Sequence, residues 1–92
     1  MKYMIQMTIP NSIGNDLVED PEFINKLRIY IKNTRAESVY FTLRKGKRTA
    51  IFIMDIESPK QMYDACEPLL MLGGKVQRDM VMTFDDIKGG SE

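Results

Sequence analysis

The sequence has no histidine, no tryptophan and one cysteine, and each shortage argues against a class of function. Without histidine, the chain lacks the commonest general base and the commonest metal ligand, so Ser-His and Cys-His nucleophiles are excluded. A lone cysteine is too little for a typical zinc site, and we expect neither a metal nor a cofactor. Cys66 also excludes an internal disulfide, which favours a reducing compartment and a cytoplasmic location.

Long apolar runs and net charge are also missing. No run approaches the roughly 20 residues that cross a bilayer, and the start, "MKYMIQMTIP", lacks the apolar region of a signal peptide. Thirteen basic and thirteen acidic residues cancel, so we expect no membrane partner and no nucleic-acid partner. With 43% hydrophobic and 28% charged residues, the 92-residue chain is typical of one globular domain. We place this domain at residues 1–88 and a short tail at residues 89–92.

Alternating apolar and polar residues predict four strands. The first is "KYMIQMTI", the second and third flank the turn "RKGKR", and the fourth is "VQRDMVMTF". Gly46 can adopt the positive φ that a tight hairpin requires. The third strand, about residues 49–56, is apolar on both faces and is therefore expected at the centre of the sheet. We interpret the basic turn as a solvated hairpin tip, with a phosphate or nucleic-acid contact as the alternative.

Two helices are predicted between the strands. In "DPEFINKLRIYIKNT", Asp20 can cap the first turn and Pro21 suits the first helical position. In the second helix, Ser58 is the predicted cap and Gln61 can complete a capping box. The pair Gly73-Gly74 then ends this helix. The segment "PNSIGND" is predicted to be a loop.

Pro68 interrupts the second helical pattern. A proline removes one backbone hydrogen bond and disfavours helical geometry in the preceding residue, Glu67. We therefore predict a main helix over residues 59–67, with Pro68 starting a kinked or separate last turn that redirects residues 69–72. In one interpretation the break allows the last turn to pack on the sheet. In the other it exposes backbone carbonyl groups, or Glu67, to a pocket.

The predicted order βαββαβ specifies an α+β fold, the ferredoxin-like sandwich, with a four-stranded antiparallel sheet and two helices on one face. Alternation assigns one set of side chains to the helix-facing side: Tyr3, Ile5, Met7, Val39, Phe41, Leu43, Met80, Met82 and Phe84. The open side receives Met4, Gln6, Thr8, Tyr40, Thr42, Arg44, Asp79, Val81 and Thr83. The third strand adds either Thr49, Ile51, Ile53 and Asp55 or Ala50, Phe52, Met54 and Ile56 to the open side.

Either choice leaves large apolar groups uncovered on the open side, and such a patch usually marks an interface. A second copy would cover it and form a closed, barrel-like homodimer with a cleft between the two sheets. The candidate ligand-binding residues of this cleft are Met4, Gln6, Tyr40, Arg44, Asp55 and Asp79. In one interpretation its polar residues orient a small polar or aromatic molecule, and act as general acids or bases if burial shifts a pKa. In the other they form hydrogen bonds and ion pairs across the dimer.

Nearly the whole chain, and most closely its second half, also resembles a family of small, uncharacterised bacterial proteins in the dimeric α+β barrel superfamily. Near the start of the chain, the resembling features are "MKYM" at residues 1–4 and "IP" at residues 9–10. Its other features are Glu37 with Tyr40-Phe41-Thr42, Gly46 with Arg48-Thr49, Asp55 before Glu57, Ser58, Gln61, Glu67-Pro68, Met82-Thr83 and Asp86-Ile87. It implies the ferredoxin-like fold and the homodimer.

The resemblance implies no reaction, because members of that superfamily range from monooxygenases and lactone isomerases to proteins without known activity. We therefore expect a homodimer that is structural or binds a small molecule between its sheets. The alternative is a cofactor-free isomerase or monooxygenase that acts on a small aromatic or lactone-type substrate. RNA recognition is disfavoured, since "RKGKRTAIF" lacks the glycine-aromatic pattern of RNA-binding βαββαβ domains.

Overall fold

The computed structural model describes residues 1–89, which form a four-stranded antiparallel sheet with helices. The strands are β1 (Lys2–Ile9), β2 (Ser38–Arg44), β3 (Lys47–Asp55) and β4 (Lys75–Met80). The helices are α1 (Asn11–Glu19), α2 (Phe23–Thr34), α3 (Pro59–Met71) and α4 (Phe84–Ile87). The strands are arranged β2-β3-β1-β4, so the predicted central position of the first and third strands is confirmed.

The element order departs from the predicted βαββαβ, because α1 and α4 are additional helices. The segment predicted as a loop after β1 is α1. Its residues are poor helix formers by propensity, but Ile13 and Leu17 recur at helical spacing and pack against the core. Burial of this apolar stripe therefore outweighs the weak local preference.

The C-terminal segment is also corrected. The fourth strand was predicted to run to Phe84, whereas β4 ends at Met80 and α4 begins at Phe84. Thr83 caps α4: its hydroxyl accepts from the Asp86 amide at 3.1 Å, and the Asp86 carboxylate accepts from the Thr83 amide at 2.9 Å. This reciprocal pair is a capping box. Of the predicted tail, only Gly89 lies among the described residues.

The hairpin between β2 and β3 has the tight geometry that Gly46 predicted. Arg44 pairs with Lys47, which leaves Lys45 and Gly46 as a two-residue turn. Both turn residues have positive φ, 52° and 76°. Two positive φ angles are characteristic of the type I′ turn, whose twist matches that of the flanking strands.

The predicted second helix, α3, is continuous through Pro68 and ends at Met71, so a separate last turn is wrong. Its cap is confirmed, since Ser58 Oγ accepts from the Gln61 amide at 3.1 Å. The side chain of Gln61 reaches back one residue further than predicted, to the amide of Glu57 at 2.7 Å. Gly73 has φ +90° and ends the helix as expected.

Backbone pairing decides which row of β3 faces the helices. Phe52 lies opposite Ile5 of β1 and opposite Val39 of β2, and directly paired residues project to the same side of a sheet. Phe52 and Ile5 are fully buried in the core. The open side therefore carries the first of the two predicted rows, Thr49, Ile51, Ile53 and Asp55.

The helices cover the centre of their side of the sheet but not its edges. Phe41, Leu43 and Met80 were predicted to face the helices, yet they are 64%, 69% and 56% exposed. They belong to the edge strands β2 and β4, which α2 and α3 leave largely uncovered. Among residues 1–89, no helix has the length and apolar character needed to cross a membrane.

Candidate functional site

The middle of the open sheet face holds three of the predicted site residues. Met4 pairs with Ile53 on one side and Asp79 on the other. Gln6 pairs with Ile51, and Ile51 pairs with Tyr40. The structure therefore brings Met4, Gln6 and Tyr40 together around two isoleucines. We call this group, Met4, Gln6, Tyr40, Ile51 and Ile53, the central patch.

Gln6 is an unusual member of the central patch because it is polar and only 8% exposed. Its side-chain amide makes no hydrogen bond to any described residue. In the described part of the chain, every fully buried side-chain nitrogen or oxygen has a partner, so this amide is not fully buried. The amide therefore keeps some contact with solvent. Since an unmade hydrogen bond near a protein interior is costly, this amide is suited to pair with a ligand or with a second protein surface.

The threonines beside the central patch pair with each other. Thr8 lies opposite Thr49, with their hydroxyl oxygens 3.4 Å apart. Thr49 is buried and also donates to the Lys47 carbonyl at 3.2 Å. Because these hydroxyls are already partnered, we assign them a structural role.

The charged candidates lie at opposite ends of the open face. Arg44 pairs with Lys47 at the hairpin end, and Asp55 closes the other end of β3. Lys47 and Asp55 are eight residue steps apart along β3, which corresponds to about 26 Å. Within one chain, the structure therefore does not bring Arg44 and Asp55 together. Asp55 and Asp79 are both exposed.

The end of the sheet that holds Asp55 also contains an ion pair. Lys2 pairs with Asp55 in the β1–β3 register, and its ammonium donates to Glu37 at 2.7 Å. This hydrogen bond, followed by the charges of Glu37, Asp55 and Asp86, raises the pKa of Lys2. Lys2 therefore remains a cation in an otherwise acidic neighbourhood.

Two grooves on the helix-covered side were not predicted from the sequence. One, of about 530 Å³, lies between α2 and α3, with Lys26, Asp64 and Pro68 along its walls. The other, of about 430 Å³, lies between α1, α2 and β2. The second was missed because α1 was predicted as a loop, although the four-residue spacing of Ile13 and Leu17 was a usable signal.

Two titratable groups on the helix side, the buried Tyr30 and the half-buried Cys66, have structural roles. Tyr30 is buried and donates from its hydroxyl to the Ala65 carbonyl at 2.6 Å. Burial raises the pKa of Tyr30, and burial likewise raises the pKa of Cys66, whose thiol lies 3.8 Å from the Met62 sulfur. Both side chains therefore favour their neutral forms, which is unsuited to a nucleophile or base at neutral pH.

Comparison with known proteins identifies the type of fold. No protein-family model matches the chain, and no curated sequence matches it. Seven chains of solved structures do match, one of which is the de novo designed protein Ferredog-Diesel. The similarity has a TM-score of 0.54 and 14% sequence identity, covering 87% of this chain and 85% of the designed one. The fold is of the ferredoxin-like type. At this identity the comparison bears on the fold alone, and the strand order β2-β3-β1-β4 agrees with it.

Proposed function

We propose that the chain forms a homodimer of the dimeric α+β barrel type. Two open sheet faces pack together in it, and a small molecule binds between them. The observation that carries this proposal is the central patch: an apolar, uncovered sheet surface that contains the unpaired amide of Gln6. In a soluble protein such a surface is typically an interface. The lone thiol of Cys66 suits the cytoplasm as the location.

The charges on the open face support a particular orientation of the two copies. On β3, Lys47 and Asp55 lie four residues to either side of Ile51. On β4, Lys75 and Asp79 lie two residues to either side of Gln77. Ile51 and Gln77 belong to the same row across the sheet, because both are in register with Gln6.

A two-fold axis along this row, perpendicular to the strands, would place each lysine over an aspartate of the second copy. The basic end of one sheet would then face the acidic end of the other. Complementary charge of this kind favours correct pairing and suppresses other orientations. Polar groups of the central patch, Gln6 and Tyr40, would face the cleft near the axis and could orient the bound molecule.

A native mass spectrum of the purified protein tests this proposal. We expect twice the mass of one chain, and a discrete additional mass if a molecule from the host is retained. A monomer at micromolar concentration would contradict the homodimer. A dimer without additional mass, and without affinity for small aromatic or polar molecules, would contradict the ligand-binding part.

Substitution of Ile51 tests the location of the interface. Ile51→Arg would place two like charges next to each other at the proposed axis, so we expect dissociation into folded monomers. Ile29→Arg is the matched control, since Ile29 is half exposed on α2, away from the open face. Circular dichroism should show that both variants remain folded. If both variants stay dimeric, the interface lies elsewhere.

A further inference from the structure

The 430 Å³ groove between α1, α2 and β2 lies on the opposite side of the sheet from the proposed dimer interface. Its volume falls in the range of about 300–1,000 Å³ that is usual for small-molecule sites. Four of its apolar side chains are more than half exposed: Val18, Ile24, Phe41 and Leu43. Val18 and Ile24 belong to the helices, and no helix covers Phe41 and Leu43 of the edge strand β2. The groove is therefore an apolar concave surface that is open to water.

Arg48 is the one charged residue among the described residues that line this groove. It pairs with Ile9 and Leu43 in the sheet, so its side chain starts on the apolar side. Its guanidinium donates to Asn15 Oδ1 at 3.0 Å. Within the described chain, no carboxylate lies within ion-pair distance of it.

A glycine of helix α1 leaves space for the side chain of Arg48. Gly14 is buried in α1, and a Cβ at that position would lie 2.7 Å from Nη1 of Arg48 and 3.4 Å from the Ile9 side chain. The absence of a side chain at residue 14 therefore leaves room for the guanidinium beside the groove. A guanidinium has five N–H donors, and a half-buried one without a counter-ion is suited to bind an anion.

We infer that this groove binds an aliphatic carboxylate, with Arg48 holding the carboxylate and Phe41 and Leu43 contacting the tail. A single cation in the lining matches a single negative charge rather than a phosphate dianion. The apolar walls match a hydrocarbon tail, whose burial contributes about 0.8 kcal/mol per methylene group. The exposed Lys45, at the tip of the hairpin, adds positive potential that attracts an anion. This site does not depend on the proposed dimer.

Titration with decanoate, followed by amide NMR spectra, tests the inference. We expect saturable shifts in α1 and at Phe41 and Leu43, and little change in the central patch. Octanoate, shorter by two methylene groups, should bind about tenfold more weakly. Decanol and decyltrimethylammonium should also bind more weakly. The hydroxyl of decanol accepts a hydrogen bond but carries no negative charge, and the quaternary ammonium has no acceptor and is repelled by Arg48.

Variants of the groove separate its charge from its apolar walls. Arg48→Gln should weaken decanoate binding by about tenfold or more. Asn15→Asp should also weaken it, because the new carboxylate would pair with Arg48 within the chain. Arg44→Gln is the matched control: Arg44 is an exposed arginine of the same hairpin on the open face, and its loss should change the affinity less than twofold. Arg48→Lys should bind with intermediate affinity, because it keeps the positive charge but loses the planar guanidinium that can donate to both carboxylate oxygens.

Several results would overturn the inference. Equal affinity for decanoate and decyltrimethylammonium in the unmodified protein would do so without any variant. Shifts confined to the central patch would locate the ligand in the proposed dimer cleft instead. Dissociation of a dimer by decanoate, with shifts in the groove, would identify the groove as the contact between copies. A dimer that persists while decanoate binds in the groove supports both proposals separately.

Discussion

At the scale of single residues, Tyr30 connects the helices with the sheet. Its ring packs edge-to-face on Phe52, with centroids 4.9 Å apart, and its hydroxyl donates to the Ala65 carbonyl of α3. Aromatic pairs of this geometry contribute about 0.5–1.5 kcal/mol beyond the burial of their area. One side chain of α2 thus holds both β3 and α3 in place.

This burial gives a prediction for alkaline pH. Burial raises the pKa of Tyr30 above its ordinary value of 10.0, so the folded chain retains a proton that the unfolded chain loses. The corresponding stability is complete below pH 10.0 and falls as the pH rises, by up to about 1.4 kcal/mol per pH unit. Urea unfolding from pH 8 to 11 measures this loss.

The variant Tyr30→Phe separates this effect from the titration of other groups. It should be about 1 kcal/mol less stable at neutral pH, because the Ala65 carbonyl loses a partner. Its free energy of unfolding should then fall less steeply above pH 10.0 than that of the unmodified protein. Tyr63→Phe, at an exposed tyrosine of α3, should leave the alkaline slope unchanged. Identical slopes for all three proteins would contradict the assignment to Tyr30.

At the scale of elements, α3 shows that tertiary packing can keep a helix continuous through a proline. Pro68 cannot donate to the Asp64 carbonyl, yet the helix continues for three more residues. The next residue, Leu69, is fully buried against the sheet. The last turn ends with hydrogen bonds from Gly73 to the Leu70 carbonyl and from Gly74 to the Leu69 carbonyl. Burial and the C-terminal cap together offset the missing bond.

Replacement of this proline tests that interpretation. Pro68→Ala restores a donor for the Asp64 carbonyl and should raise the free energy of unfolding by about 1–2 kcal/mol, since proline is poorly tolerated inside helices. Urea unfolding followed by circular dichroism measures the change. Met71→Ala, at an exposed position of the same turn, should change it by less than about 0.5 kcal/mol. A less stable Pro68→Ala variant would mean that the proline ring contributes needed packing.

At the scale of the whole molecule, the two sides of the sheet differ in how they are covered. Helices α1, α2 and α3 bury the centre of one side, and the other side carries the central patch between oppositely charged ends. The charges of the chain sum to zero. Their arrangement is more informative than the net charge, because on β3 and β4 the lysines lie on one side of the row that contains Gln6 and the aspartates on the other.

A charge exchange on β4 tests whether this arrangement matters for assembly. Lys75→Glu and Asp79→Lys should each weaken the proposed dimer several-fold, since each places like charges opposite one another. The double variant, with both changes in one chain, should recover most of the affinity. Sedimentation equilibrium at low and high salt measures these dissociation constants, and high salt should reduce the differences. Additive losses in the double variant would contradict the proposed orientation.

Local sequence patterns predicted the elements in which the local conformational preference of the residues matches the conformation required by tertiary packing. Alternation located β1, β2 and β3, and Gly46 located the hairpin, because a tight turn requires positive φ there. The cap at Ser58 was likewise predicted from three neighbouring residues. The segment of α1 was not, because its Asn, Ser and Gly residues favour loops locally and become helical only when Ile13 and Leu17 are buried.

The candidate site could be predicted only in part, since alternation assigns residues to faces but not to positions along the sheet. Met4, Gln6 and Tyr40 were expected on the open face, and the register places them together. Arg44 and Asp55 share that face but lie at its two ends. The groove around Arg48 was missed, because it depends on a helix that local propensity does not favour.

The sequence by itself determined the α+β class, the number of strands and the central place of β1 and β3. It also determined that the open face of the sheet carries large apolar side chains. Periodicity, turn residues and caps act over a few neighbouring positions, so these features can be inferred from the chain alone. Tertiary structure decided the row of β3 that faces solvent, the helicity of α1, the continuity of α3 and the exposure of Phe41 and Leu43. Each of these depends on free energy from contacts between distant segments, and a local pattern does not contain that information.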